Sequence, residues 1–260
     1  MKPSKLQLAY FSPCGGTLRA AELLCGQFEG VPVERVNMTC PPGALPGVIP
    51  VKKEELLVLA FPVYGGVPPR VEGLFRQLKG QGGPCVLLAA YGNRAYEDAL
   101  AAAAAQLTRQ GFVCVGGLSC VTPHVFAPRL GAGRPDSGAD LAAFRAFAEA
   151  VKRALAQPAL CPAALPGEAQ PALKPLKPVP RVRDTERCID CGLCARACPA
   201  GAMDRRYQVD GARCVNCMAC RMACPVGAWK FDPSGVRAWL EENFAQPRPV
   251  EWFAAGGATG

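Results

Sequence analysis

The stretch from Cys188 to Pro225 constrains this chain most. It reads Cys188-Ile189-Asp190-Cys191-Gly192-Leu193-Cys194-Ala195-Arg196-Ala197-Cys198-Pro199, and 26 residues later Cys214-Val215-Asn216-Cys217-Met218-Ala219-Cys220-Arg221-Met222-Ala223-Cys224-Pro225. Each half is C-x2-C-x2-C-x3-C-P. Three thiolates at that spacing wrap one face of an iron–sulfur cube, and the Cys-Pro turn carries the fourth to the neighbouring cube. The spacing therefore assigns Cys188, Cys191, Cys194 and Cys224 to cluster one, and Cys214, Cys217, Cys220 and Cys198 to cluster two. The repeat runs on, with Ala200-Gly201-Ala202 matching Val226-Gly227-Ala228. It predicts a pseudo-two-fold unit with two neighbouring [4Fe–4S] clusters. Zinc sites use Cys pairs separated by a longer loop rather than four Cys within eleven residues. Disulfides are disfavoured in a chain without a secretory signal.

The remaining composition places that segment. A chain of 260 residues, half of them hydrophobic, suggests one to two domains with a sizeable core. Of its 15 Cys, those outside the repeat are Cys14, Cys25, Cys40, Cys85, Cys114, Cys120 and Cys161. They are scattered, several in apolar runs, and read as small buried hydrophobes. So many free thiols beside oxygen-sensitive clusters point to a reducing compartment, so a cytoplasmic protein is expected. No apolar run reaches 18 residues, so no membrane span is expected. The formal net charge is +8. Two oxidised clusters with their thiolates would subtract about four charges, and a bound flavin phosphate about two more. Basic residues stand singly without aromatic interleaving, which excludes a nucleic-acid surface.

Before the cysteines, apolar strands alternate with helical patterns. Leu6–Phe11, Val31–Val36, Leu56–Phe61, Cys85–Ala90 and Phe112–Val121 read as strands, the last weakened or bulged at Gly116-Gly117. Helices are expected after the first strand (Ala20, Ala21, Leu23, Leu24, Phe28), across Val71, Leu74, Phe75 and Leu78, over Glu97–Gln110, and over Leu141–Leu155 with Asp136 or Ser137 as N-cap. This predicts an α/β fold with a doubly wound, five-stranded parallel sheet. Three Gly-containing loops lie at C-terminal strand ends and converge on one rim, where such sheets bind ligands.

Here a resemblance enters. Phe11-Ser12-Pro13-Cys14-Gly15-Gly16-Thr17 looks like the phosphate loop of flavodoxins, although the usual loop has Thr at Cys14 and Asn at Gly16. Phe61-Pro62-Val63-Tyr64-Gly65-Gly66 and Tyr91-Gly92-Asn93-Arg94-Ala95-Tyr96-Glu97-Asp98 resemble the two flavin-ring loops of a group that fuses a flavodoxin-like domain to a bacterial-type two-[4Fe–4S] ferredoxin. The cysteine segment, over 184–232, resembles those ferredoxins. The resemblance implies a flavodoxin-like domain over 1–156, a Pro-rich linker over 157–183, an α+β ferredoxin domain over 184–232, and a terminal helix and tail over 233–260. It also implies one FMN exchanging electrons with the clusters.

The loop residues support that reading on their own chemistry. Ser12 and Thr17 offer hydroxyls to a phosphate dianion, and Gly15 and Gly16 let the backbone approach at a positive helix end. Tyr64 or Tyr91 can lie against the flavin ring, or each can cap the core at its strand end. Backbone groups of Gly65, Gly66, Gly92 and Asn93 can reach the ring's polar edge. Arg94 pairs with ring or phosphate, or is solvated. His124, the only His, reads as structural more readily than catalytic. No nucleophilic triad, Walker loop or dinucleotide fingerprint is present, so no catalytic residue is assigned.

Gln157–Arg183 holds seven prolines and the basic residues Lys174, Lys177, Arg181 and Arg183. It reads as an extended semi-rigid spacer, alternatively as a lure for an acidic redox partner, and it should dock the clusters on the flavin rim. Val236–Phe244 reads as a short helix, and Ala254–Gly260 as a disordered tail. The expected function is electron transfer with a redox partner protein. The alternatives are an FMN-dependent reductase of a quinone, nitro compound or corrinoid, and an iron–sulfur protein without flavin.

Overall fold

Two stretches, Leu56–Pro62 and Pro84–Tyr91, are apolar almost throughout and buried along their whole length. Neither can face water, so both must sit mid-sheet with cover on each side. In this computed structural model, which describes residues 2–41, 44, 47–67, 73–172 and 179–260, they do. The strands in chain order begin β1 (Leu6–Tyr10), β2 (Val33–Asn37), β3 (Ile49–Pro50), β4 (Leu56–Pro62), β5 (Leu78–Lys79), β6 (Pro84–Tyr91) and β7 (Val113–Val121). Five of them form a parallel array in the order β2-β1-β4-β6-β7. Counted without the short β3–β5 pair, that is 2-1-3-4-5, the flavodoxin-like order.

Alternation of side chains across each strand splits the core into two layers. Leu6, Leu8, Val58, Val86 and Leu88 meet α1 (Gly16–Cys25) on one face. Leu57, Leu59, Phe61, Leu87 and Phe75 meet α2 (Ala99–Arg109) on the other. Helix α3 (Gly138–Leu155) adds Phe144, Phe147 and Val151 to the first layer. Its N-cap is Ser137, whose Oγ accepts from the Asp140 amide at 3.1 Å. Cys25, Cys85, Cys114 and Cys120 are buried in these layers, whereas Cys14 and Cys161 are exposed.

The expected irregularity in the fifth strand is present. Cys85 pairs with Cys114, but Val86 pairs with Gly116, so the register slips past Val115. A Cβ on Gly116 would lie 2.8 Å from Phe147 Cε2, which is why the slip falls on a glycine. Around the expected helix of 71–78, Gly73–Phe75 is helical and Leu78 instead joins β5, while Val71 lies outside the described residues.

The linker is not a free spacer where it is described. Leu160 and Leu165 pack against the two core layers, and the Ala163 amide donates to Cys114 O at 2.8 Å. The Glu168 amide donates to Asp98 Oδ1 at 3.0 Å. Lys174 and Lys177 lie outside the described residues. Arg181–Arg183 is a strand, β8, paired antiparallel with β9 (Trp229–Phe231). The cysteine-rich unit thus opens at Arg181 rather than after it.

The largest departure is at the C-terminus, where the tail expected to be disordered is a hairpin. After α6 (Ser234–Asn243), β10 (Glu251–Ala254) pairs antiparallel with β7, and β11 (Ala258–Thr259) pairs with β10. Among the described residues the sheet has seven strands, five of them parallel. Gly256 and Gly257, both left-handed, make the tight turn. Trp252 anchors the hairpin, its ring 6.1 Å from that of Phe147. So short a strand carries no readable periodicity, and its small residues serve the turn. Trp252→Ala should lower stability by about 3 kcal/mol, seen as a reduced urea midpoint by circular dichroism.

Candidate cofactor site

Four loops leave the C-terminal ends of β1, β4, β6 and β7 on one rim. The first turns at Gly15, left-handed at φ 84°, which is the N-cap of α1. Ser12 Oγ accepts from the Leu18 amide at 3.0 Å, and the Ser12 amide donates to Thr39 Oγ1 at 2.6 Å. The first turn of α1 holds no acidic residue, so its positive end is uncancelled. The second loop closes with the Tyr64 amide donating to Gly66 O at 3.0 Å, with Gly65 and Gly66 left-handed.

The rim encloses a cavity of about 1170 Å³. Ser12, Cys14, Gly16 and Thr17 line it from the first loop, Pro62, Val63, Tyr64 and Gly65 from the second, and Tyr91, Gly92 and Arg94 from the third. Gly15, Gly66, Asn93 and Tyr96 are not among its lining. The Asn93 side chain turns to the C-terminal segment. Its amide nitrogen donates to Phe244 O at 2.6 Å and Gln246 O at 2.9 Å, and its Oδ1 accepts from the Arg248 amide at 3.0 Å. The Tyr96 hydroxyl donates to Glu251. The side chains of Asn93 and Tyr96 thus hold the C-terminal segment, because that segment passes directly behind their loop.

The other predicted residues sort by environment. Tyr64 is half-buried and packs against both the second core layer and the cysteine-rich core. Burial pushes its phenol up, with Cys217 and Cys14 adding to the effect. Tyr91 is buried edge-on against Tyr96 at 5.7 Å, and burial, then Glu251, raises its phenol to about 12. Arg94 pairs with Glu97. His124 stands over Gly92, where a Cβ would lie 2.1 Å from His124 Cδ2. His124 Nδ1 accepts from the Phe126 amide at 3.1 Å. Burial, then Arg94, lowers its pKa to about 4, so it is neutral across the neutral range.

The opposite wall belongs to the cysteine-rich unit. Its short helices α4 (Leu193–Arg196) and α5 (Ala219–Met222) start at left-handed Gly192 and Met218. The repeat is preserved atom by atom. The Ala202 amide donates to Cys198 Sγ at 3.2 Å, and the Ala228 amide to Cys224 Sγ at 3.2 Å. Cys198, from the first half, packs against the group that includes Cys217 and also against the group that includes Cys194 and Cys220. Cys224, from the second half, packs against the group of Cys194 and Cys220. Both fourth cysteines therefore lie between the two halves of the repeat. Among the described residues no three His, Cys, Asp or Glu side chains converge around a single ion. Burial raises the Cys217 thiol to about 12 and Cys220 to about 11, so an ionised form there needs a metal's charge. Soft thiolates in this number suit iron–sulfur chemistry.

The two walls touch. Cys14 Sγ donates to Cys217 O at 3.1 Å, so the residue standing at a phosphate-loop hydroxyl position bonds the cysteine unit. Asn216, Met218, Arg221 and Trp229 join the cavity lining from that side. Two further participants, Arg181 and Arg183, stand in the sequence as linker charge and meet sulfur only in the fold. Arg181 Nη1 donates to Cys214 Sγ at 3.1 Å and Arg183 Nη1 to Cys188 Sγ at 3.2 Å. Their i, i+2 spacing just before the first cysteine was the available signal.

Gly92→Ala should force His124 from its place and cost about 1–3 kcal/mol, read by urea unfolding. The His124 pKa lies below its ordinary value, so the unfolded chain binds the extra proton and stability falls as pH drops from about 6.5 toward 4. His124→Asn should flatten that part of the stability profile, and an unaltered slope would contradict the assignment.

Residues 181–204 and 207–230 each match the family model described as 4Fe-4S binding domain. No curated protein sequence matches the chain. Among solved structures it is similar to a flavodoxin of Streptococcus pneumoniae TIGR4, at 16% identity over 55% of this chain and 94% of that one, TM-score 0.39. It is also similar to rubredoxin oxygen:oxidoreductase from the anaerobe Desulfovibrio gigas, at 18% identity over 59% of this chain and 37% of that one, TM-score 0.39. Residues 181–230 are a 4Fe–4S ferredoxin-type unit, joined to a domain whose strand order is that of the flavodoxins.

Proposed function

We propose that this chain transfers electrons between two [4Fe–4S] clusters and one FMN, and exchanges them with a redox partner protein in the cytoplasm. Cys188, Cys191, Cys194 and Cys224 hold the first cluster, and Cys214, Cys217, Cys220 and Cys198 the second. FMN, when bound, takes up one or two electrons, whereas each cluster takes one. The observation that carries this reading is the shared cavity. Flavodoxin-type loops form one wall, the second cysteine set lies behind the other, and the Cys14–Cys217 contact joins them. Among the described residues no helix is long and apolar enough to cross a membrane.

The chain's own residues bind and orient. The amides of Gly16 and Thr17 open α1, and the Thr17 hydroxyl supplies a further neutral donor for a phosphate. Tyr64 fills the space between the ring loops and Cys217, excluding water from the path between them. Left-handed Gly65 lets that loop turn without a side chain in the cavity.

A second reading rests on one feature. The cavity continues beyond the loops to Val236, Trp239 and Met222, all exposed, and exceeds the roughly 300–1,000 Å³ of single-ligand sites. A small aromatic acceptor would fit there. Turnover of a quinone or nitroarene by the reduced protein, without any protein partner, would favour it.

Anaerobic reconstitution should yield two four-iron clusters and one FMN per chain. Thr17→Val should weaken FMN binding roughly tenfold or more while leaving iron content unchanged. Full iron loading with no flavin bound at any concentration would sink the flavin half of the proposal.

A further inference from the structure

Arg181 and Arg183 are alternate residues of β8, so both side chains leave one face of the strand, while Val182 between them is 67% exposed. Each guanidinium reaches the first cysteine of one half of the repeat, Cys214 or Cys188. Each also reaches the side chain two residues beyond that cysteine. Arg181 Nη2 donates to Asn216 Oδ1 at 2.9 Å, and Arg183 Nη1 donates to Asp190 Oδ1 at 3.1 Å. Asp190 and Asn216 hold the same place in the repeat, both left-handed, at φ 50° and 54°. The two halves therefore carry one device with one difference: a carboxylate in the first, an amide in the second.

We propose that these arginines tune the reduction potentials of the two clusters, and that the Asp190/Asn216 difference sets them apart. The proposal rests on the reading of the cysteines as two [4Fe–4S] ligand sets. A cluster gains negative charge on reduction. A guanidinium and its N–H···S bond at a ligand sulfur stabilise that charge and raise the potential. Among the described residues the other partners of Arg181 are uncharged: the Val179 carbonyl at 3.2 Å and the Phe231 ring at 5.4 Å. Arg183 lies 4.3 Å over the Tyr207 ring, and part of its charge is cancelled by Asp190. The pair of contacts thus favours an added electron on the cluster held by Cys214 over the one held by Cys188. Arg181 and Arg183 are positioning residues for charge rather than ligands.

The test is an anaerobic dithionite titration of the iron-loaded full chain, read by electron paramagnetic resonance. Asp190→Asn should raise one midpoint and leave the other in place. Asn216→Asp should lower the other midpoint, and Arg181→Gln should lower that same one. A purely structural role would not give opposite signs from two near-isosteric exchanges. Asp190 is largely exposed, and Asn already occupies the matching left-handed position, so Asp190→Asn retains the fold. An Asp190→Asn protein with full iron and an unshifted or lowered midpoint would overturn the proposal. Wild-type protein without a [4Fe–4S] signal would instead overturn the ligand reading beneath it, and this inference with it.

Discussion

The antiparallel ladder between β10 and β7 holds the molecule in its present shape. Four residues, Glu251–Ala254, pair with Ser119–Gly116 and cover what would otherwise be an open sheet edge. Because these four residues come after the cysteine repeat, the ladder makes that repeat an excursion between two strands of one sheet. The excursion is fastened at its start by Leu160, Leu165 and Ala163 on the core, and at its end by Trp252. Chain entropy alone would let a Pro-rich tether sample many distances. Fastening both ends removes most of that freedom and keeps the cysteines against the rim.

The same arrangement explains how several loop residues are used. Asn93 adopts φ 64° and spends its side chain on Phe244, Gln246 and Arg248, the segment that leads into β10. Arg237 Nε donates to Phe126 O at 2.9 Å, and Leu240 packs on Ala127 and Leu130. These contacts bring α6 down onto the loop after β7, so this helix forms part of the cavity wall. Cys14 turns its thiol to Cys217 O, which ties the first loop to the second cysteine set. The cavity is thereby a property of the assembled chain, with walls drawn from loops more than a hundred residues apart.

Much of this was legible beforehand for a physical reason. Continuous apolar runs such as Leu56–Phe61 admit few placements other than a covered central strand, and glycines at strand ends mark the rim. The slip at Gly116 was legible because a glycine pair inside a strand rarely has another purpose. Leu78 misled, since one apolar residue at helical spacing can equally begin a two-residue strand. The side-chain directions of Tyr96 and Asn93 were not legible, because polar side chains near a rim can face either the cavity or a passing segment. Only the path of that segment decides between them.

The cysteine spacing by itself determined the 4Fe–4S character and the internal symmetry of this unit, since covalent spacing along twelve residues limits what their sulfurs can reach. Strand periodicity likewise determined the doubly wound sheet. Tertiary structure alone decided that the last residues return as strands, that the cysteine unit lies over the rim, and that Arg181 and Arg183 meet sulfur rather than water. Those outcomes depend on contacts between residues far apart in the chain, whose energies no local pattern records.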